Sequence, residues 1–401
     1  LLLSGLVHAV SDTWINVALV LVFILIGGVF AGTELALVSL REGQAKALAA
    51  RGHDVVFFER DVPYYAMNRD LWELPGGTLV LYDDWDAGLP AARAHLADAD
   101  VAMVTSYQAD GIAATELVLQ SPAAVKTFYD LDTPVTLDAL ASGKEVAYLG
   151  PRGLADFDLV LSYTGGTALD ALRSRLGARR VAPLYGHVDP DVHHAVPGED
   201  EYRADLSYLG TYAEDRQAAL ERLFIQAAHQ LPEQRFLIGG AQYPQEFPWA
   251  DNVWFRKHMP PAYHPAFFSS SRWTLNVTRR AMAEMGWCPS GRLFEAAACG
   301  CPVISDAWEG LDAFFAPGEE IVIARGTDDV VRAMRMTDAE RDAVARRARE
   351  RTLDEHTSAR RAAELEALLD AAFGAGEAVD APEPGESAGE WRMRDTLAAE
   401  A

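Results

Sequence analysis

The stretch Gly286 to Asp306, GWCPSGRLFEAAACGCPVISD, reads as a loop, a short helix and a buried strand. Ser290 is a strong N-cap, and Gly300 stops the helix as a left-handed residue would. Pro302 then opens the apolar run Val303-Ile304, which ends at Asp306. Arg292 falls in the first turn, where the helix dipole disfavours a cation unless an anion lies there too. Glu295 follows three residues later on the same face. A helix N-terminus with a cation suits a phosphate, and an acid one turn on suits a sugar hydroxyl. A solvated Arg/Glu pair on an ordinary α/β helix is the competing reading of the same residues.

Working outward, short apolar runs recur at 55–58, 79–82, 101–105, 125–129, 145–148 and 159–162. Most alternate with Ala- and Leu-rich helical stretches, the βα rhythm of a parallel sheet. Polar or Gly-rich loops follow several of them: Ser106-Tyr107-Gln108, Asp130-Leu131-Asp132-Thr133 and Tyr163-Thr164-Gly165-Gly166. Ligands of open α/β sheets sit beyond the carboxyl ends of strands, so these loops form the expected rim of a cleft. The segment 183–201, with three prolines, three histidines and no long apolar run, reads as a connection between two domains. Runs at 206–209, 236–238, 253–255, 274–277, 303–304 and 321–323 continue the pattern, and 338–369 is strongly helical and charged. The organisation expected is an apolar segment 1–44, a Rossmann-like domain 45–185, a linker 186–205, a second Rossmann-like domain 206–372 and a disordered tail 373–401.

The chain of 401 residues is long enough for two ordinary cores, and half its residues are hydrophobic. Its 59 acidic against 35 basic residues give a formal net charge of -24. Such a surface repels nucleic acid, so an anionic small ligand needs a local basic site. Arg216, Arg279, Arg280 and Arg292 are the obvious suppliers. The three cysteines, Cys288, Cys299 and Cys301, lack the paired spacing of a zinc site and read as small buried thiols. His53 and the pair His193-His194 read as ordinary turn and linker residues.

The longer run from Thr274 to Phe315, TLNVTRRAMAEMGWCPSGRLFEAAACGCPVISDAWEGLDAFF, resembles the C-terminal domain of the CgeB-like (YkvP-type) glycosyltransferases. Asn276-Val277-Thr278-Arg279, Pro289-Ser290, Arg292-Leu293-Phe294-Glu295-Ala296 and Ile304-Ser305-Asp306 carry the likeness, which extends over about 45–369. The resemblance implies an α/β fold of GT-B type, two Rossmann-like domains facing a cleft, with a nucleotide-diphosphate sugar as donor substrate and no further cofactor. It places the donor against Gly210-Thr211-Tyr212, Arg216, Asn276, Thr278, Arg279, Ser290, Arg292, Leu293 and Glu295, with Glu295 accepting from ribose hydroxyls. The acceptor it implies is a glycan, a protein or a small molecule of a cell or spore surface. Many retaining enzymes of this architecture carry two glutamates eight positions apart; here Glu295 matches the second and Trp287 stands at the first.

Asp130 and Asp132 are the candidate catalytic carboxylates, placed to deprotonate an acceptor hydroxyl if the domains close. Asp130-x-Asp132 and Asp84-x-Asp86 also resemble the metal motif of the other large glycosyltransferase fold, but a leaving diphosphate held by helix termini and cations is the expectation. The run 14–32 is almost wholly apolar and close to the roughly 20 residues that span a bilayer. With Arg41, Lys46 and Arg51 behind it, a membrane-anchored chain would keep its catalytic domains in the cytoplasm. A buried strand and helix is the alternative. Residues 12–44 resemble the start of a CorC/HlyC-type membrane domain, so the family's first strand and loop are not recognisable. That departure leaves two rival functions: a non-catalytic sugar- or nucleotide-binding protein and a membrane-anchored interaction protein.

Overall fold

A computed structural model describes residues 43–62 and 72–374 of the chain. A helix over 43–50 ends at Gly52, whose φ of 95° lies in the left-handed region. Strands β1 (Val56–Arg60) and β2 (Thr78–Tyr82) pair in parallel as a two-stranded sheet. Strands β3 (Val101–Thr105), β4 (Val125–Asp130), β5 (Leu159–Ser162) and β6 (Val181–Pro183) form a parallel sheet in that order. All four residues of β5 are buried, as a strand covered on both faces requires.

The run 145–148, expected as a strand, is none: Val146 and Tyr148 are buried, but the segment pairs with no strand. Its alternating burial comes from packing beside Phe128, against which the Tyr148 ring stacks with the ring centroids 6.4 Å apart. Conversely, β6 is hidden in the sequence by its brevity and its proline.

A second parallel sheet follows, built from β7 (Leu206–Leu209), β8 (Phe236–Gly240), β9 (Val253–Lys257), β10 (Thr274–Asn276), β11 (Val303–Ser305) and β12 (Val322–Ile323). Its order is β12-β11-β10-β7-β8-β9. The chain therefore starts in the middle, adds β8 and β9 on one side, then returns to add β10 to β12 on the other. The reversal lies between β7 and β10, and a crevice opens beyond the carboxyl ends of strands at such a switch point. Alternate residues feed two cores: Leu206, Tyr208 and Ile238 pack on one face, Leu209 and Leu237 on the other.

The long charged stretch is two helices, Asp338–Glu355 and Ser358–Phe373, broken at His356-Thr357. At the break Val188 N–H donates to the His356 carbonyl and Ser358 N–H to the Val188 carbonyl. The second helix lays Leu365 and Ala372 against Val125, Tyr129 and Leu161 of the first parallel sheet. Among the described residues no helix is long and apolar enough to cross a membrane. The apolar run 14–32 and the tail from 375 onward lie outside the described residues.

Candidate functional site

Gly210 and Thr211 leave the end of β7 at the switch point, and a helix begins at Glu214 with Arg216 in its first turn. The Gly210 amide donates to the Gly239 carbonyl, and its own carbonyl accepts from the Tyr243 hydroxyl at 3.0 Å. Gly240 lies directly behind: a Cβ there would collide with the Gly210 carbonyl oxygen. The two glycines thus let two loops touch backbone to backbone under one small cleft. Tyr212 donates its N–H to the Ala241 carbonyl, while its ring packs edge-on against Tyr243 and Phe247.

Arg292 enters the same cleft from the opposite side, in the first turn of the helix Gly291–Ala298. Ser290 caps that helix, its Oγ accepting from the Arg292 amide at 3.4 Å. Arg292 is depressed below the ordinary arginine range by burial and then by the positive charge of Arg216. The Nε atoms of both Arg292 and Arg216 are sealed from solvent and have no hydrogen-bond partner among the described residues. Two guanidiniums brought together under partial burial repel one another, and a dianion between them would relieve both costs.

Glu295 lies one turn along that helix, buried, with Oε2 3.1 Å from His264 Nδ1. Burial alone would raise its carboxyl, but the His264 hydrogen bond and the charges of His264, His193 and Arg292 hold it at about 2. The Leu293 side chain is wholly buried in the core, and its amide donates to the Ser290 carbonyl. Asn276 and Thr278 are likewise engaged within the protein. Thr278 Oγ1 donates to Asp306 at 2.9 Å and Asn276 Nδ2 to Ser305 Oγ at 3.0 Å, bracing the loop after β10.

The other wall comes from the first parallel sheet. Asp132 follows β4, and its Oδ2 accepts from the Tyr107 hydroxyl at 3.3 Å while Oδ1 has no partner among the described residues. Burial raises Asp132 to about 7, with Arg279 lowering it, Asp130 raising it and Arg216 lowering it again. Both second-sheet arginines therefore act on this first-sheet carboxylate. Arg279 itself pairs with Asp215 at 3.1 Å. Asp130, the other expected catalytic acid, is fully buried behind the loop; its Oδ1 accepts from the Asp132 amide and the Thr136 hydroxyl. Its hydrogen bonds brace the loop that carries Asp132.

The two halves also touch at Trp287. Its carbonyl accepts from the Gly165 amide, and its indole lies against Gly166 and Gly310, where a Cβ on either glycine would clash with the ring. Thr164 Oγ1 donates to Cys288 Sγ at 3.2 Å beside it. At the position eight residues before Glu295, Trp287 thus contributes packing rather than charge.

Sequence reasoning missed His258, Met259 and His264, which line the cleft with Gly210, Thr211 and Arg292. The signal was present in the run HMPPAYHP from His258 to Pro265 after an edge strand, where His258 adopts a φ of 58°. His193, read as a linker residue, is in fact buried against His264 and Glu295.

Residues 216–367 match the family model described as glycosyl transferase-like. No curated protein matches the chain at a significant level. Among solved structures, sucrose-phosphate synthase from Thermosynechococcus elongatus is similar with a TM-score of 0.61 at 17% identity, over 83% of this chain and 92% of that one. Anabaena HepE in complex with UDP and glucose gives 0.58 at 11% identity, over 83% and 95%. T4 phage BGT, in complex with its UDP-glucose substrate, gives 0.54 at 12%, over 83% and 93%. Residues 216–367 are thus similar to glycosyl transferase-like domains, and the chain shares the parallel-sheet α/β fold of these GT-B structures.

Proposed function

We propose that the protein transfers a sugar from a nucleotide-diphosphate donor to an acceptor hydroxyl, with Arg292 and Arg216 gripping the diphosphate. The observation that carries this is the pair of guanidiniums whose Nε atoms lack partners, converging beside Gly210-Thr211 and a capped helix start. As the bond from the anomeric carbon to the phosphate oxygen breaks, negative charge grows on that oxygen, and fixed cations stabilise it there. Glu295, ionised and one turn below Arg292, suits the ribose hydroxyls, and the His258-Met259 segment lies where a base would sit. Asp132 takes the acceptor proton as the new glycosidic bond forms. UDP and UDP-glucose bound to the structural neighbours support a uridine donor.

The motif from Asn276 to Asp306 supports the finer placement with the CgeB-like family and with a glycan, protein or small molecule of a cell surface as acceptor. Trp287 favours a second reading, a protein that binds nucleotide-sugars without turning them over, because it removes one acid from the cleft. Incubation with UDP-, GDP- and dTDP-sugars, following release of the nucleoside diphosphate, separates the two. The expected result is slow release from one donor, lowered in Arg292→Ala by about 100-fold, the scale of losing one charge-stabilising donor. Binding of a donor with no release under any condition would leave the second reading.

A further inference from the structure

Below the cleft, three buried side chains from three separate parts of the chain converge. His193 comes from the connection between the two parallel sheets, His264 from the start of the helix His264–Ser269, and Glu295 from the helix that carries Arg292. One ligand-type atom of each lies within 4.8 Å of the others. We propose that His193, His264 and Glu295 bind one divalent cation of the zinc class, fastening the connection to the nucleotide-side helix.

The strongest sign is His193. It is 4% exposed, yet neither ring nitrogen has a hydrogen-bond partner among the described residues. Leaving a buried polar atom unsatisfied costs about 1–3 kcal/mol, so two on one ring need a reason. His264 fits the same pattern from its other side: Nδ1 faces Glu295 while Nε2 lies 3.3 Å from the Met259 carbonyl. A metal-bound histidine commonly donates its second N–H to a backbone carbonyl, which fixes its tautomer and ring plane.

Two imidazoles and a carboxylate are a borderline-soft set that suits zinc better than magnesium or calcium. Bond lengths near 2.0–2.2 Å put tetrahedral ligand atoms roughly 3.3 Å apart, so small side-chain rotations close the cluster on an ion. A fourth position remains for water. Bound there, the cation would hold Glu295 in one orientation and tie the connection to the second sheet. The cation would take one Glu295 oxygen and leave the other for the ribose hydroxyls, and metal content is measurable whether or not the chain turns over a donor.

The test uses the untagged full chain, stripped with a chelator and then titrated with zinc or cobalt(II). The expected result is one equivalent of zinc by elemental analysis and the visible absorption of tetrahedral cobalt. His193→Ala should weaken zinc by roughly 100-fold or more, beyond the usual effect of outer-shell changes, while exposed His194→Ala leaves it unchanged. Retention of no zinc by the wild-type chain would overturn the proposal without reference to any variant. So would equal zinc affinity in folded His193→Ala, or an equal loss in His194→Ala.

Discussion

Asp132 sits buried after β4 beside Tyr107 and within reach of the Arg279 charge, and its burial sets both its chemistry and its cost. Its carboxyl is raised to about 7, so the base form appears as pH rises through that value. If Asp132 takes the acceptor proton, the rate should climb about tenfold per unit below pH 7 and level off above it. Asp132→Asn should lower kcat by on the order of 100- to 10,000-fold and abolish that limb of the profile. Stability moves the other way. The folded state holds this proton between the unfolded pKa near 3.8 and about 7, so stability falls as pH rises through that window. Asp132→Asn should remove that slope and melt higher than wild type at pH 8. A pH profile unchanged in the variant would take the base role from Asp132. The sequence offered Asp130 and Asp132 as equals. Only packing separates them, because Asp130 closes hydrogen bonds to Thr136 and to the Asp132 amide.

Elements place these residues, and here local signals were readable where they depended on neighbours in sequence. Ser290 as a cap and Gly300 as a stop define the helix 291–298, and the loop after β7 carries Gly210. What a residue's side chain meets across the fold was not readable: Leu293 faces the core, Thr278 is held by Asp306, and His193 turns inward. The run 145–148 misled because burial in a loop alternates much as burial in a strand does. Trp287 is the clearest case. Its backbone adopts a φ of 48°, held by amide bonds from Gly165 and to Glu309, so that its indole wedges between two glycines. Trp287→Ala should leave an unfilled gap at this contact and cost about 3 kcal/mol in denaturant unfolding. A loss under 1 kcal/mol would show that the wedge is dispensable.

Across the whole molecule, the two sheets are joined twice: by the segment through His187-Val188 and by the last helix returning to the first sheet. Arg361 pins that junction from within. It is 3% exposed and donates to the Tyr185 and Glu355 carbonyls, to Glu364 and to His356 Nδ1. Arg361→Ala should strand those acceptors and cost about 3 kcal/mol, whereas exposed Arg360→Ala should stay within about 0.5 kcal/mol. Equal effects of the two would show that the junction carries no such weight. The parallel-sheet fold was legible because most strands are short apolar runs, β6 excepted, but the approach of two arginines across the switch point needed coordinates.

The central claim is that Arg292 and Arg216 hold a diphosphate, and calorimetric titration of UDP against free uridine tests it most directly. For wild type, Arg292→Ala and Arg216→Ala, UDP affinity should fall about 10- to 100-fold in each variant, the worth of hydrogen bonds to a charged group. Uridine affinity should stay the same in all three. Equal UDP affinity in wild type and both variants would contradict the account.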